Sequence, residues 1–183
     1  MDNKRLVRVS KYLSLHLRHQ PEQLGLELAP GGWVEVADLL AACARDGFPL
    51  TRAELEEVVV TSDKQRFSFD DTGTQLRANQ GHSVEVDLQL EPAAPPPLLY
   101  HGTPERFVAP ILEKGLLKMK RHHVHLSPTV ETARKVGARR GRPVILAVDA
   151  AEMHRDGHLF YCSANGVWLT DRVPPQYLSR LEE

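Results

Sequence analysis

Residues 91–97 read EPAAPPP. The run Pro95–Pro97 fixes φ, removes backbone donors and fits neither a helix interior nor an inner strand. The stretch therefore predicts a stiff, extended linker. It divides the 183-residue chain into an N-terminal lobe, residues 1–90, and a C-terminal lobe, residues 98–183. That length suits one ordinary domain or two small ones.

Upstream of the linker the pattern is mainly helical. Leu6, Val9, Leu13 and Leu17 recur at helical spacing, and Pro21 ends that helix. A second helix fits Val36–Arg45, closed by Gly47. A third starts at Thr51, an N-cap that forms a capping box with Glu54. RFSF, a turn-rich DDTGT and QLRA then read as a hairpin. Three helices and a hairpin predict a winged-helix-like lobe, a shape often used on nucleic acids; a helical domain with an appended hairpin is the plainer alternative.

Downstream the pattern is mixed. PLLYHGT reads as a strand ending in a turn, with Thr103 as helix cap, Pro104 in the first turn, and Phe107, Ile111 and Leu112 as the apolar face up to Gly115. HVHLS predicts a short strand, Ser127-Pro128 opens a helix reaching about Arg140, and PVILAVDA and NGVWLT predict two more strands. The expected class is α+β.

Composition narrows the function. Apolar residues make up 42% of the chain, enough for a buried core. No apolar run is long enough to span a bilayer, and the charged N-terminus does not read as a signal peptide. Cys43 and Cys162 are far apart and form no CxxC motif, so a reducing cytoplasm and no disulfide framework are expected. The net charge of −1 conceals an asymmetry of −5 over residues 1–91 and +4 over the remainder. Between Lys114 and Arg142 nine basic residues face one acid, Glu131. Such an excess is either a solvated face or a site for phosphates.

Several short stretches carry candidate chemistry. In LRHQP, Arg18 and His19 end the first helix; the helix dipole alone favours cations there, and an arginine fork also suits phosphate oxygens. In DKQRF, Lys64 and Arg66 alternate along an expected strand and would share a face. In HGT, His101–Thr103, glycine at a turn would let a ligand approach the backbone. In KRHHVHLS, residues 120–127, His123 and His125 would share one strand face and His122 the other. A zinc site needs about four suitable ligands, a count not met there, so no metal is expected, and Arg121 beside these histidines reads as an anion site.

Taken together and in order, KYLSLHLRHQP, GGWVEVADLL, DKQRF, LRANQGHS, LYHGT, HVHLSPT, ANGVWLT and VPPQYL resemble the NAD-dependent RNA (tRNA) 2'-phosphotransferase family along nearly the whole chain. The resemblance implies a winged-helix-like N-terminal lobe and an ADP-ribosyltransferase-like C-terminal lobe that clasp NAD and RNA. It places the family's Arg-His-Arg-Arg set on Arg18, His19, Arg66 and Arg121, with Lys64 assisting the second step. Its His-His-hydrophobic signature falls on His101, His125 and Val167. Protein-modifying ADP-ribosyltransferases typically carry a glutamate at that third position, so Val167 argues against their reaction.

The implied reaction removes an internal 2'-phosphate from RNA by transferring it to NAD. It runs through a 2'-phospho-ADP-ribosylated RNA and releases nicotinamide and ADP-ribose 1″,2″-cyclic phosphate. His101, Gly102, Thr103, His125 and Ser127 would hold NAD, with no metal. The expected partners are NAD and a tRNA-like RNA, with no membrane, and the expected state is a cytoplasmic monomer. Two alternatives stay open at this point: NAD-dependent ADP-ribosylation of terminal phosphates of RNA or DNA, and a non-catalytic RNA-binding and nucleotide-sensing protein.

Overall fold

The computed structural model describes residues 1–62, 64–138 and 141–182. Asp63 of DKQRF and the expected helix end at Arg139–Arg140 lie outside the described residues. The chain divides into two compact units, Met1–Gln89 and Leu90–Glu183. The class is α+β, with six α-helices and small antiparallel sheets among the described residues. No helix there is long and apolar enough to cross a membrane.

The first unit opens with α1, Asn3–Arg18. The Asp2 carboxylate accepts from the Arg5 N–H at its N-terminus (2.7 Å). Val9, Leu13 and Leu17 are fully buried along one stripe. β1 (Trp33–Glu35) leads into α2 (Val36–Arg45), and α3 (Arg52–Thr61) starts with the Thr51–Glu54 capping box. β2 (Phe67–Phe69) and β3 (Gln75–Ala78) complete a sheet ordered β1-β3-β2. Its core joins Val9, Leu13 and Leu17 to Leu39, Leu55, Phe67 and Leu76. The expected hairpin is thus two strands of three. The added strand, from GGWVE, has only three residues, too few for period-2 alternation to stand out.

A second correction concerns Lys64 and Arg66. They precede β2 rather than lying on it, and Gln65 between them has φ of +39°. Strand alternation does not govern their side chains.

The second unit is built on β4 (Leu98–Pro104). Next come α4 (Val108–Lys114), β5 (Leu116–Leu117), β6 (Val124–Leu126) and α5 (Val130–Gly137). β7 (Pro143–Asp149), α6 (Ala150–Arg155) and β8 (Phe160–Cys162) follow, then β9 (Trp168–Thr170), β10 (Arg172–Val173) and β11 (Leu178–Arg180). The sheets are β11-β7-β4, β6-β9-β8 and the pair β10-β5. Tyr100 and Ser127 exchange backbone hydrogen bonds (2.8 and 2.9 Å), tying β4 to the end of β6. Leu99, Leu126, Val148, Met153 and Phe160 fill the core. The proline-rich stretch belongs to this unit: the Ala93 N–H donates to the Phe160 carbonyl (2.8 Å), and the Pro97 carbonyl accepts from the Ala151 N–H (3.1 Å).

HGT lies inside β4, where Gly102 pairs with Ile145 and Thr103 with Val144. Thr103 therefore caps no helix: a 3-10 turn, Glu105–Phe107, intervenes before α4. Val108 is the buried residue of α4, and Phe107 and Leu112 are exposed. The cap of α5 is Thr129, whose side chain accepts from the Thr132 N–H (3.2 Å), not Ser127.

Gly102 is glycine because of packing. A Cβ there would stand 2.2 Å from the Ala133 carbonyl oxygen of α5, and one on Gly137 would stand 3.0 Å from the Gly102 Cα. Strand and helix approach backbone to backbone. Gly102→Ala is expected to cost at least the roughly 1–3 kcal/mol typical of overpacking, read as a lower denaturation midpoint. An unchanged midpoint would show that α5 can yield at no cost.

Candidate functional site

In the first unit the candidate residues gather at the C-terminal end of α1. Arg18 is its last residue and His19 its C-cap. The Arg18 carbonyl, left without an intrahelical donor, accepts from the Ser83 N–H (2.9 Å). The Ser83 hydroxyl in turn meets His19 Nδ1 at 2.8 Å. Nδ1 is thereby engaged, and His19 is exposed at the surface. The Arg18 guanidinium lies 5.9 Å from the Phe67 ring centroid, and a Cβ on Gly81 would come within 3.5 Å of its Nη1. Both basic side chains sit at the negative end of the helix dipole, which favours cations there.

Arg66 reaches the same helix, where its Nη1 donates to Ser10 Oγ (3.4 Å). Ser10 lies eight residues, roughly 12 Å of helical rise, before Arg18 in α1. The backbone of Arg66 is fixed by buried Asn79: its N–H donates to the Arg66 carbonyl (2.9 Å) and its Nδ2 to the Gln65 carbonyl (2.6 Å). Lys64 is exposed beside this turn. The structure thus brings Arg18, His19 and Arg66 to one helix. Asn79 and Ser83 hold them, and sequence reasoning gave neither a role. Their signal was present in LRANQGHS, but side-chain bonds from a loop to distant backbone leave no periodicity to read.

In the second unit the candidates centre on Arg121, His125 and His101. His125 stands on β6 between buried Val124 and Leu126, on the opposite face. Arg121 Nη1 lies 3.1 Å from His125 Nδ1. Arginine carries no acceptor, so the guanidinium donates, and His125 is neutral with its proton on Nε2. His101 Nδ1 donates to the His125 carbonyl (3.2 Å), which leaves Nε2 as its lone-pair side. Crowding by surrounding protein pushes the His101 pKa down from its ordinary 6.5; the hydrogen bond to His125 opposes this, and the Arg121 charge adds to it. Thr103 is buried on the same strand face as His101. Ser127 is held through its backbone to Tyr100. Val167 closes a turn in which its N–H donates to the buried Ser163 hydroxyl (3.1 Å) and its carbonyl accepts from the Ser163 N–H (2.9 Å).

His122 and His123 precede β6 rather than lying on it, so the expected division between strand faces does not apply to them. His123 packs against Tyr161, ring centroids 5.5 Å apart, and its pKa is lowered, first by burial and then by His122 and Lys118. No three His, Cys, Asp or Glu side chains among the described residues form a group able to hold a metal.

The candidate residues fall into two chemical groups. Arg18, Arg66 and Arg121 supply permanent cations with forked donors suited to phosphate oxygens. His101 and His125 supply neutral rings suited to uncharged hydroxyls.

His101 and His123 also set a pH dependence. Both pKa values are depressed in the folded state, so folding favours the neutral rings. Their contribution to stability is complete above the unfolded value of about 6.5 and is lost as the pH falls through the folded values. Thermal melts from pH 8 to 5 should decline on the acid side, less so for His101→Asn. Equal decline in the two proteins would remove His101 as a source.

A family model, "RNA 2'-phosphotransferase, Tpt1 / KptA family", matches residues 4–172. Similar chains include one from Nostoc punctiforme, 63% identical over 181 residues (99% of this chain, 100% of the relative). One from Trichormus variabilis is 65% identical over 178 residues (97% and 98%). One from Streptomyces coelicolor is 62% identical over 178 residues (97% and 97%). Each of the three carries the name "Probable RNA 2'-phosphotransferase". The chain belongs to the RNA 2'-phosphotransferase family, a family of transferase enzymes.

Proposed function

We propose that the protein removes an internal 2'-phosphate from RNA by transferring it to NAD+, a co-substrate. The full-length similarity to RNA 2'-phosphotransferases carries this reading. In it, the first unit is a winged-helix-like lobe, supported by its three helices and sheet order β1-β3-β2. The second is an ADP-ribosyltransferase-like lobe, supported by the antiparallel sheets that carry His101 and His125, with Val167 immediately before β9.

The second unit has side chains suited to a ribose. Neutral His101 presents an acceptor at Nε2, and His125 a donor at Nε2. These and buried Thr103 are assigned to the hydroxyls of the ADP-ribose part. Gly102 and Ser127 contribute through backbone: Gly102 by letting α5 close on β4, Ser127 by its pairing with Tyr100.

In the first step the RNA 2'-phosphate attacks C1″ of the nicotinamide ribose, and the C–N bond to nicotinamide breaks. The nucleophile is already an anion, so the step needs orientation rather than a strong base. In the second step the phosphorus is attacked by the ribose 2″-hydroxyl, and its bond to the RNA 2'-oxygen breaks. ADP-ribose 1″,2″-cyclic phosphate and RNA with a free 2'-hydroxyl result. The proton lost by the attacking hydroxyl equals the one gained by the leaving oxygen. His19 is assigned to carry it at Nε2. Arg18, Arg66 and Arg121 are assigned to the phosphate, whose charge they stabilise as it reorganises, and Lys64 assists there.

An RNA oligonucleotide with one internal 2'-phosphate, incubated with and without NAD+ in EDTA, tests the reading. Phosphate loss only with NAD+, with cyclic phosphate formed, is the expected result; an accumulating ADP-ribosylated RNA would remove the second step. His19→Ala should lower turnover by about 100-fold or more with unchanged NAD+ affinity. Undiminished turnover would overturn the assignment of His19.

A further inference from the structure

Three segments meet at one end of the β6-β9-β8 sheet: the approach to β6, the approach to β8 and the exit from β9. Val124, Phe160 and Thr170 lie level across that end. Of the residues assigned to the ribose, His101 and Thr103 lie on β4 and Ser127 follows the opposite end of β6. A groove of about 750 Å³ opens at the first end, within the roughly 300–1,000 Å³ of small-molecule sites.

Its lining has a definite chemistry. Lys118, Arg121 and Arg172 are permanent cations, and Asp171 is the lone carboxylate. Lys118 Nζ donates to Asp171 Oδ1 (2.5 Å), and the lining as a whole carries three permanent cations to one carboxylate. Tyr161 lines the groove with the ring of His123 against it, 5.5 Å between centroids, and Leu159 lies exposed beside them. Cations with an aromatic surface between them match single-stranded nucleic acid, where phosphates meet the charges and a base meets the ring. One end of the groove is Arg121, which also donates to His125.

We infer that this groove takes a nucleotide of the RNA one step beyond the dinucleotide that carries the 2'-phosphate, its base against Tyr161 and its phosphodiester at Arg172. The inference rests on the reading of the protein as an RNA 2'-phosphotransferase and adds a subsite that extends from Arg121 along the RNA. Substrate length then matters: an oligonucleotide long enough to enter the groove binds more tightly than a minimal one with the same 2'-phosphate.

The test compares the parent protein with Arg172→Ala, an exposed position outside the assigned catalytic set, and with Tyr161→Leu. Binding of a 2'-phosphorylated hexanucleotide is measured without NAD+, by fluorescence anisotropy against salt. Turnover of a 2'-phosphorylated dinucleotide and the KM for NAD+ are measured alongside. Arg172→Ala should weaken hexanucleotide binding by about tenfold. It should also reduce the slope of log Kd against log salt by about 0.7, the value for one lost phosphate contact on a single strand. Dinucleotide turnover and the KM for NAD+ should stay unchanged. Tyr161→Leu should weaken the hexanucleotide without changing the salt slope. Unchanged hexanucleotide binding and slope in Arg172→Ala would overturn the inference, as would a rise in the KM for NAD+ with RNA binding intact, which would give the groove to the co-substrate. If the parent protein releases phosphate from neither RNA, the proposed activity fails, and hexanucleotide binding still decides the groove.

Discussion

The second unit depends on one close approach. Gly102 in β4 and Gly137 in α5 meet with no room for a side chain on either. Both β7 and Ser127 pair with β4, so the helix packs directly on the central strand. Interiors are dense enough that a single misplaced methyl group is felt. A displaced β4 would carry His101 away from the His125 carbonyl and disturb the Tyr100–Ser127 pairing that joins the two sheets. The HGT motif therefore works first through what its glycine excludes, and only then through its polar neighbours.

Charge in this unit is arranged by contrast. Arg121 donates to His125 and lowers the His101 pKa through space. A permanent cation and two neutral rings thus stand in one hydrogen-bonded series. Burial and the Arg121 charge both lower the His101 pKa, which favours that ring's neutral form around neutral pH. In the proposed reaction the series would also separate what each group recognises: an anion at Arg121, uncharged oxygens at the imidazoles.

What was legible in the sequence follows from how local each signal is. α2 and α3 appear with their expected starts, because amphipathic spacing and the Thr51–Glu54 capping box are encoded within a few residues. The three-residue β1 and the left-handed turn at Gln65 were not legible, since each depends on partners far along the chain. The position of HGT was misread for the same reason: a glycine before Thr-Pro suggests a turn, yet β7 pairs through all three residues. Arg18, His19, Arg66 and Arg121 stood out by type and by motif order. Asn79 and Ser83 hold three of these in place and stayed silent, because their partners lie 14 and 64 residues away.

Ser83 gives His19 a property that an isolated helix-end histidine lacks. A backbone carbonyl at Nδ1 would lock one tautomer, with Nδ1 always protonated. A hydroxyl both donates and accepts, and it rotates at little cost. When Ser83 accepts from Nδ1, neutral His19 has its lone pair at Nε2 and acts as a base; the imidazolium that results still donates to Ser83 from Nδ1 and acts as an acid at Nε2. In the proposed second step one group must take a proton from the attacking hydroxyl and return one to the leaving oxygen. A histidine held at Nδ1 by a hydroxyl acceptor can do both at Nε2 without moving its ring. The Ser83 N–H, bonded to the Arg18 carbonyl at the end of the same helix, keeps that hydroxyl in register with His19.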